Sequence, residues 1–247
     1  METIKVKGIV LKAADSKEKD KLLHIFTLEK GLVLAKLKGV KNQGAKLKIF
    51  SQPFCVAEFI LADKNGFYTI TNCDVIETFF DVTKDYDRFL IACMFVDAIR
   101  KSIIMLEGSE KAAFVFLLKA LRELTYSSVD GGLVELKFLC DLVKVCGYKV
   151  NLKECLGCFT PFKENKILLC YDDYSFYCEG CAPLQSEEFD RAAHKLLSVI
   201  DEVDYDRLLS LKINGLTLSI ALTFIRKYAE KNNEESHADE NEGTEVY

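Results

Sequence analysis

The chain has 247 residues, with 33 basic against 38 acidic side chains, 49% hydrophobic residues and ten cysteines. That is enough apolar material for one or two packed domains, and the absence of any run of about 18 uncharged apolar residues excludes a helical membrane span. The net charge of -5 hides an asymmetry: residues 1–50 carry +7 and residues 230–247 carry -6, so the overall acidity does not exclude an anionic ligand at the N-terminal end. The opening METIKVKG is charged and lacks an apolar signal segment, which points to a reducing cytoplasm, where paired cysteines favour metal over disulfides.

In chain order, residues 1 to about 80 read as β-structure. Short apolar runs rich in β-branched and aromatic residues cover Ile4–Lys12, Leu22–Thr27, Gly31–Leu37, Phe54–Leu61 and Phe67–Ile76. Turn signals separate them, among them Lys64-Asn65-Gly66. Five strands at this spacing suit a small barrel of the OB type, and also other small β-domains or sandwiches. Between the third and fourth runs, Lys36, Lys38, Lys41, Lys46 and Lys48 place five lysines in 13 residues without one carboxylate. Such a loop can meet phosphates and gain from counterion release. Lysine without arginine favours backbone contact over base reading. Phe50 and Phe54 beside it offer either stacking faces for bases or core side chains. The same lysines can instead guard a sheet edge against pairing.

From about residue 83 the hydrophobic period becomes helical: Phe89, Cys93, Val96, Ile99 and Ile103, then Ala113 through Leu124, then a helix from Gly132 to Cys146 stopped by Gly147. The period resumes with Phe189, Ala193, Leu196, Leu197 and Ile200, and a last helix is expected over residues 216–229. Residues 231–247 are polar and acidic and are expected to be a disordered tail.

Between these helices stand Cys155-Leu-Gly-Cys158 and Cys178-Glu-Gly-Cys181, separated by 19 residues. Two CxxC turns at this distance match a zinc ribbon over about 152–183, with Cys155, Cys158, Cys178 and Cys181 as ligands of one Zn²⁺. Four thiolates leave no open position, so the ion is expected to be structural. Gly157 and Gly180 fit the tight turns. Cys170, inside the ribbon, is a further candidate ligand; the other cysteines sit among apolar residues as small hydrophobes.

Catalytic residues are not expected. His24, His194 and His237 are scattered, Asp172-Asp173 reads as a solvated turn, and there is no P-loop, GxSxG, HExxH or GxGxxG. A binding protein is favoured over an enzyme.

The order of these elements resembles the bacterial RecO recombination-mediator family over most of residues 1–230. The residues that carry the resemblance are Lys7-Gly8-Ile9-Val10-Leu11, Glu18, Asp20, Leu22-Leu23, Ile25-Phe26-Thr27, Gly31, Lys38-Gly39, Pro53-Phe54 and the four paired cysteines. The resemblance implies an α+β protein: an OB-fold β-barrel over 1–80, then an all-α domain over 81–230 with the zinc ribbon inserted. It implies binding of single- and double-stranded DNA, annealing of complementary strands, and partnership with RecR. It further implies contact with the tail of single-strand binding protein, loading of RecA onto coated strands, and a cytoplasmic, nucleoid-associated location. The segment Val40-Lys41-Asn42-Gln43-Gly44 is thinner in charge than the family pattern, which either lowers the expected DNA affinity or shifts the contact to Lys46 and Lys48. The alternative is a zinc-stabilised protein-interaction module with no direct DNA role.

Overall fold

A computed structural model describes residues 2–16, 19–40, 48–162 and 166–243. The chain divides into two units, Met1–Ser127 and Ser128–Tyr247.

In the first unit, β1 (Glu2–Ser16), β2 (Asp20–Thr27), β3 (Gly31–Leu37), β4 (Val56–Lys64) and β5 (Phe67–Glu77) close into a barrel in the order β1-β2-β3-β5-β4. All pairings are antiparallel except the closing one, where Ala35 and Lys36 of β3 run parallel to Tyr68 and Thr69 of β5. This is the OB topology, within an α+β chain. β1 serves both neighbours: Glu2–Ile9 pairs with β4, and Gly8–Ser16 pairs with β2. The crossover needs Gly8, because a Cβ there would lie 2.4 Å from the Ile25 side chain. The Asn-Gly signal forms the β4–β5 hairpin, with Asn65 at φ 55° and Gly66 at φ 83°, both left-handed as a two-residue primed turn requires. Alternate strand residues, among them Val6, Leu23, Ile25, Phe59 and Leu61, fill the barrel.

Two helices complete this unit. α1 (Tyr86–Lys101) starts where the Asp85 side chain accepts from the Arg88 N–H, a side-chain cap on an orphan donor. α2 spans Glu110–Tyr126. Both dock on the barrel through rings: Phe54 meets Phe89 edge-on at 6.1 Å, and Phe26 meets Phe114 at 6.1 Å.

The second unit contains α3 (Gly131–Val145), α4 (Arg191–Glu202) and α5 (Gly215–Gly243), with a three-stranded sheet of β6 (Leu168–Cys170), β7 (Ser175–Tyr177) and β8 (Glu187–Glu188) between α3 and α4. α3 ends as its glycine predicts: Gly147 is at φ 88°, and the Tyr148 N–H reaches the Val143 carbonyl at 3.0 Å. Glu135, almost fully buried on α3, is held by Arg226 of α5 through two charge-assisted bonds of 2.5 and 2.7 Å. The backbone differs from the sequence reading at the C-terminus, where α5 continues helical through residues 231–243. A polar segment that follows a packed helix only has to propagate a turn already nucleated. Phe189 lies outside the helices and joins a ring cluster instead, 5.1 Å from Phe176 and 5.6 Å from Phe224. Among the described residues no helix is long and apolar enough to cross a membrane.

Candidate metal centre and cationic loop

The ribbon brings its four paired cysteines together. The Sγ atoms of Cys155, Cys158, Cys178 and Cys181 all lie within 4.8 Å of one another, and among the described residues they form the group that could hold a metal ion. The fold positions them through main-chain bonds. Phe159 N–H returns to the Cys155 carbonyl at 2.9 Å, closing the first knuckle, and Cys181 N–H returns to the Cys178 carbonyl at 3.1 Å, closing the second. Leu156 N–H bonds the Phe176 carbonyl at 3.1 Å, which ties the first knuckle to β7 just before the second begins.

Chemistry and distance both suit a cation. A tetrahedral S₄ site with metal–sulfur bonds of about 2.3 Å has S···S edges of about 3.8 Å; Cys158 and Cys178 are 3.8 Å apart. Burial pushes the Cys155 thiol up, but N–H groups of Cys178, Cys158 and Gly157 aimed at its sulfur outweigh this, and its pKa falls below the ordinary thiol value. The Thr160 hydroxyl, 3.3 Å from Cys158 Sγ, and then the Thr160 N–H bring Cys158 down to about 6. The Cys181 thiol is pushed up to about 12, first by its contacts with the Cys178 and Cys158 sulfurs. Four thiols within 4.8 Å of one another cannot all ionise without a counter-charge, which a divalent cation supplies.

Cys170 does not join the group. It is buried beside Cys155 and Tyr177 in the ribbon's small core and acts as wall. Of the two knuckle glycines, only Gly157 is required by space, since a Cβ there would lie 2.8 Å from Cys181 Cβ. A Cβ at Gly180 would meet nothing within 4 Å. Asp173 is the turn residue the sequence suggests: its carboxylate accepts from Ser175 N–H at 3.0 Å and from the Tyr177 hydroxyl at 2.5 Å.

The lysine segment is only partly seen. Lys41 and Lys46 lie outside the described residues. Lys36, at the end of β3, is ion-paired with Asp20 at 2.9 Å across the β2–β3 ladder, and the Gly39 N–H donates to the same carboxylate at 2.9 Å. Those two partners hold the Asp20 carboxyl below its ordinary range. Lys38 and Lys48 are exposed. Phe54 is buried against Phe89, and Phe50 packs against the barrel core, so both rings are packing residues and not stacking faces. The barrel wall adds cations that the sequence reading passed over. Lys12 faces His24 across the β1–β2 ladder. Partial burial, then Lys12 and Arg100, depress the His24 imidazolium. Sequence alone could have found this pair only with the strand register in hand.

His194 on α4 is the buried polar group that sequence reasoning undervalued. Its ring stands edge-on between Phe176 at 4.9 Å and Phe162 at 5.3 Å, and its Nε2 has no hydrogen-bond partner. Burial, then Arg191, lowers its pKa to about 4.

Comparison with known proteins covers nearly the whole chain. A family model described as recombination protein O N terminal matches residues 1–79, and one described as recombination protein O C terminal matches residues 83–238. Proteins named DNA repair protein RecO are similar along most of their length. That of Acetivibrio thermocellus is 25% identical over 240 residues, covering 94% of both chains. That of Caldicellulosiruptor saccharolyticus is 26% identical over 235 residues, covering 94% of this chain and 95% of the relative. That of Clostridium novyi is 27% identical over 201 residues, covering 81% and 77%.

Proposed function

The chain belongs to the recombination protein O family, and from that premise we propose that it is a DNA repair protein that binds DNA and mediates recombination without catalysing a reaction. Its barrel contacts the phosphates of single- and double-stranded DNA through Lys36, Lys38, Lys41, Lys46 and Lys48. It anneals complementary strands and works with RecR, with the tail of single-strand binding protein and with RecA in the cytoplasm. The observation that carries the DNA reading is an exposed cationic edge, with Lys38 and Lys48 flanking a segment that holds two more lysines and no carboxylate. Lys36 contributes least in this scheme, because its ammonium already serves Asp20.

The metal is Zn²⁺. The support is the S₄ donor set, with no position left for water or substrate, and the 3.8 Å sulfur spacing. When bound, the ion supplies positive charge that fixes all four cysteines as thiolates; it takes part in no reaction.

Reversing charge at Lys38, Lys41 and Lys46 together tests the DNA assignment. Annealing and single-strand affinity should drop, and the wild-type affinity should fall linearly in log–log form as salt rises. Unchanged annealing in that variant discards the loop. Salt-independent or absent DNA binding by the wild-type chain favours the protein-interaction module instead.

A further inference from the structure

The first zinc knuckle ends in an anomaly that metal binding does not explain. Phe159 follows Cys158 with φ 58°, in the left-handed region where a bulky L-residue is rare and glycine fits without penalty. The backbone needs that turn, because it sends the Thr160 carbonyl back to accept from the Cys155 N–H at 3.0 Å. It does not need the phenyl ring, which is 64% exposed. Leu156 in the same knuckle is 39% exposed, and Leu184, three residues past Cys181, is fully exposed. The two knuckles touch where Gly157 abuts Cys181, so Leu156 and Phe159 lie on a knuckle in contact with the one that Leu184 follows by three residues. Three large apolar residues left in water around a strained backbone are the mark of a contact surface.

The surrounding charge says what kind of partner fits. Residues 153–188 hold three lysines against seven carboxylates, a net of -4, which Lys227 and Lys231 of α5, set over the Tyr171 and Tyr174 rings, reduce to -2. Lys166 is already engaged, 3.4 Å from Glu188 and 3.9 Å from Glu179. Four thiolates around a divalent ion add further negative charge. Such a field repels phosphate, which argues against a base stacked on Phe159, and it attracts lysine and arginine.

We propose that the knuckle end of the ribbon, built on Phe159, Leu156 and Leu184, docks a basic, apolar segment of a protein partner. This rests on the ribbon being closed by metal, and it makes the ribbon an interaction element and not only a brace.

Phe159→Gly separates this role from folding, because glycine relieves the left-handed turn. The variant's melting temperature should stay the same or rise by about 2–4 °C, with metal content unchanged. Binding of three labelled probes to the full metal-loaded chain is then measured by fluorescence anisotropy: a twelve-residue lysine/leucine peptide, its glutamate/leucine counterpart, and a twelve-nucleotide oligothymidylate. The lysine peptide should bind, less tightly as salt rises. Phe159→Gly and Leu184→Ser should each weaken it by about fivefold or more, with oligothymidylate affinity unaltered. Equal lysine-peptide affinity in both variants, no binding of that peptide, or loss of oligothymidylate affinity in Phe159→Gly would each overturn the proposal. Absence of metal from the wild-type chain would count against the zinc reading instead.

Discussion

The barrel's interior is one cluster of thirteen buried side chains, from Val6 to Ile70, whereas the ribbon's own cluster has three, Cys155, Cys170 and Tyr177. The barrel closes through ladders on every strand and needs no help from a ligand. The ribbon has strands of two or three residues, and beyond that sulfur-containing cluster it buries Ile167, Leu169 and Phe176. A core of that size is small against the entropy of ordering about thirty residues. In one region sequence becomes structure by burying hydrocarbon; in the other it does so by collecting charge for a metal ion.

The largest test of that contrast is metal removal. Apparent binding energies for structural zinc in finger peptides run to roughly 10–16 kcal/mol, and folding is coupled to them. Stripping the ion with a chelator, or replacing Cys155 and Cys178 by serine, should abolish amide protection in β6, β7 and β8 and leave β1–β5 protected. Hydrogen exchange read by mass spectrometry checks both halves. A ribbon that stays protected without metal breaks the comparison.

A core truncation makes the opposite cut. Phe59 is fully buried in the barrel. Phe59→Ala should cost about 3–5 kcal/mol through lost transfer energy and a residual cavity. Denaturant unfolding of the variant should show the loss in the first unit, while zinc content stays at the wild-type level.

Acid should act on the second unit through His194. A base whose folded pKa is about 4, against an ordinary value of 6.5, is held neutral by its surroundings. Its contribution is complete above pH 6.5, is lost as pH falls from 6.5 toward 4, and reaches about 3 kcal/mol. The groups packed on it are the Phe162 and Phe176 rings, with Arg191 adding repulsion. His194→Phe should remove this part of the acid dependence. The stability difference between variant and wild type, measured at pH 7 and pH 4.5, should therefore move in the variant's favour at the lower pH; a difference that does not change with pH removes the assignment.

The same division marks what could be read from the chain. Strands and helices were legible because alternation and helical spacing follow from burial on one face, and the CxxC pairs because metal geometry fixes their spacing. What depends on contacts distant in sequence was not. Lys36 looked like a free cation until the β2–β3 register set it against Asp20. Phe54 looked available for stacking until α1 supplied Phe89. The helical run through 231–243 broke a reading based on polarity, because hydropathy reports whether a segment can bury itself and not whether it can extend a neighbour. His194 gave no local signal, since its cage is made by rings from the ribbon, 18 and 32 residues back along the chain.

The smallest effect separates the two knuckles themselves. Their glycines look equivalent in sequence, each just before the second cysteine of its pair. Neither has positive φ, so backbone freedom is not the reason for either. Space distinguishes them. At Gly157 a methyl group would sit 2.8 Å from Cys181 Cβ and 3.2 Å from its sulfur, so Gly157→Ala must push the two knuckles apart. At Gly180 the methyl would enter open space. Gly157→Ala should therefore cost about 1–2 kcal/mol, felt mainly as faster zinc transfer to a competing chelator. Gly180→Ala should stay within about 0.5 kcal/mol of wild type. Equal zinc retention in the two variants would mean that the close approach at Gly157 does not control the cage, and that the sulfur spacing is set elsewhere in the ribbon.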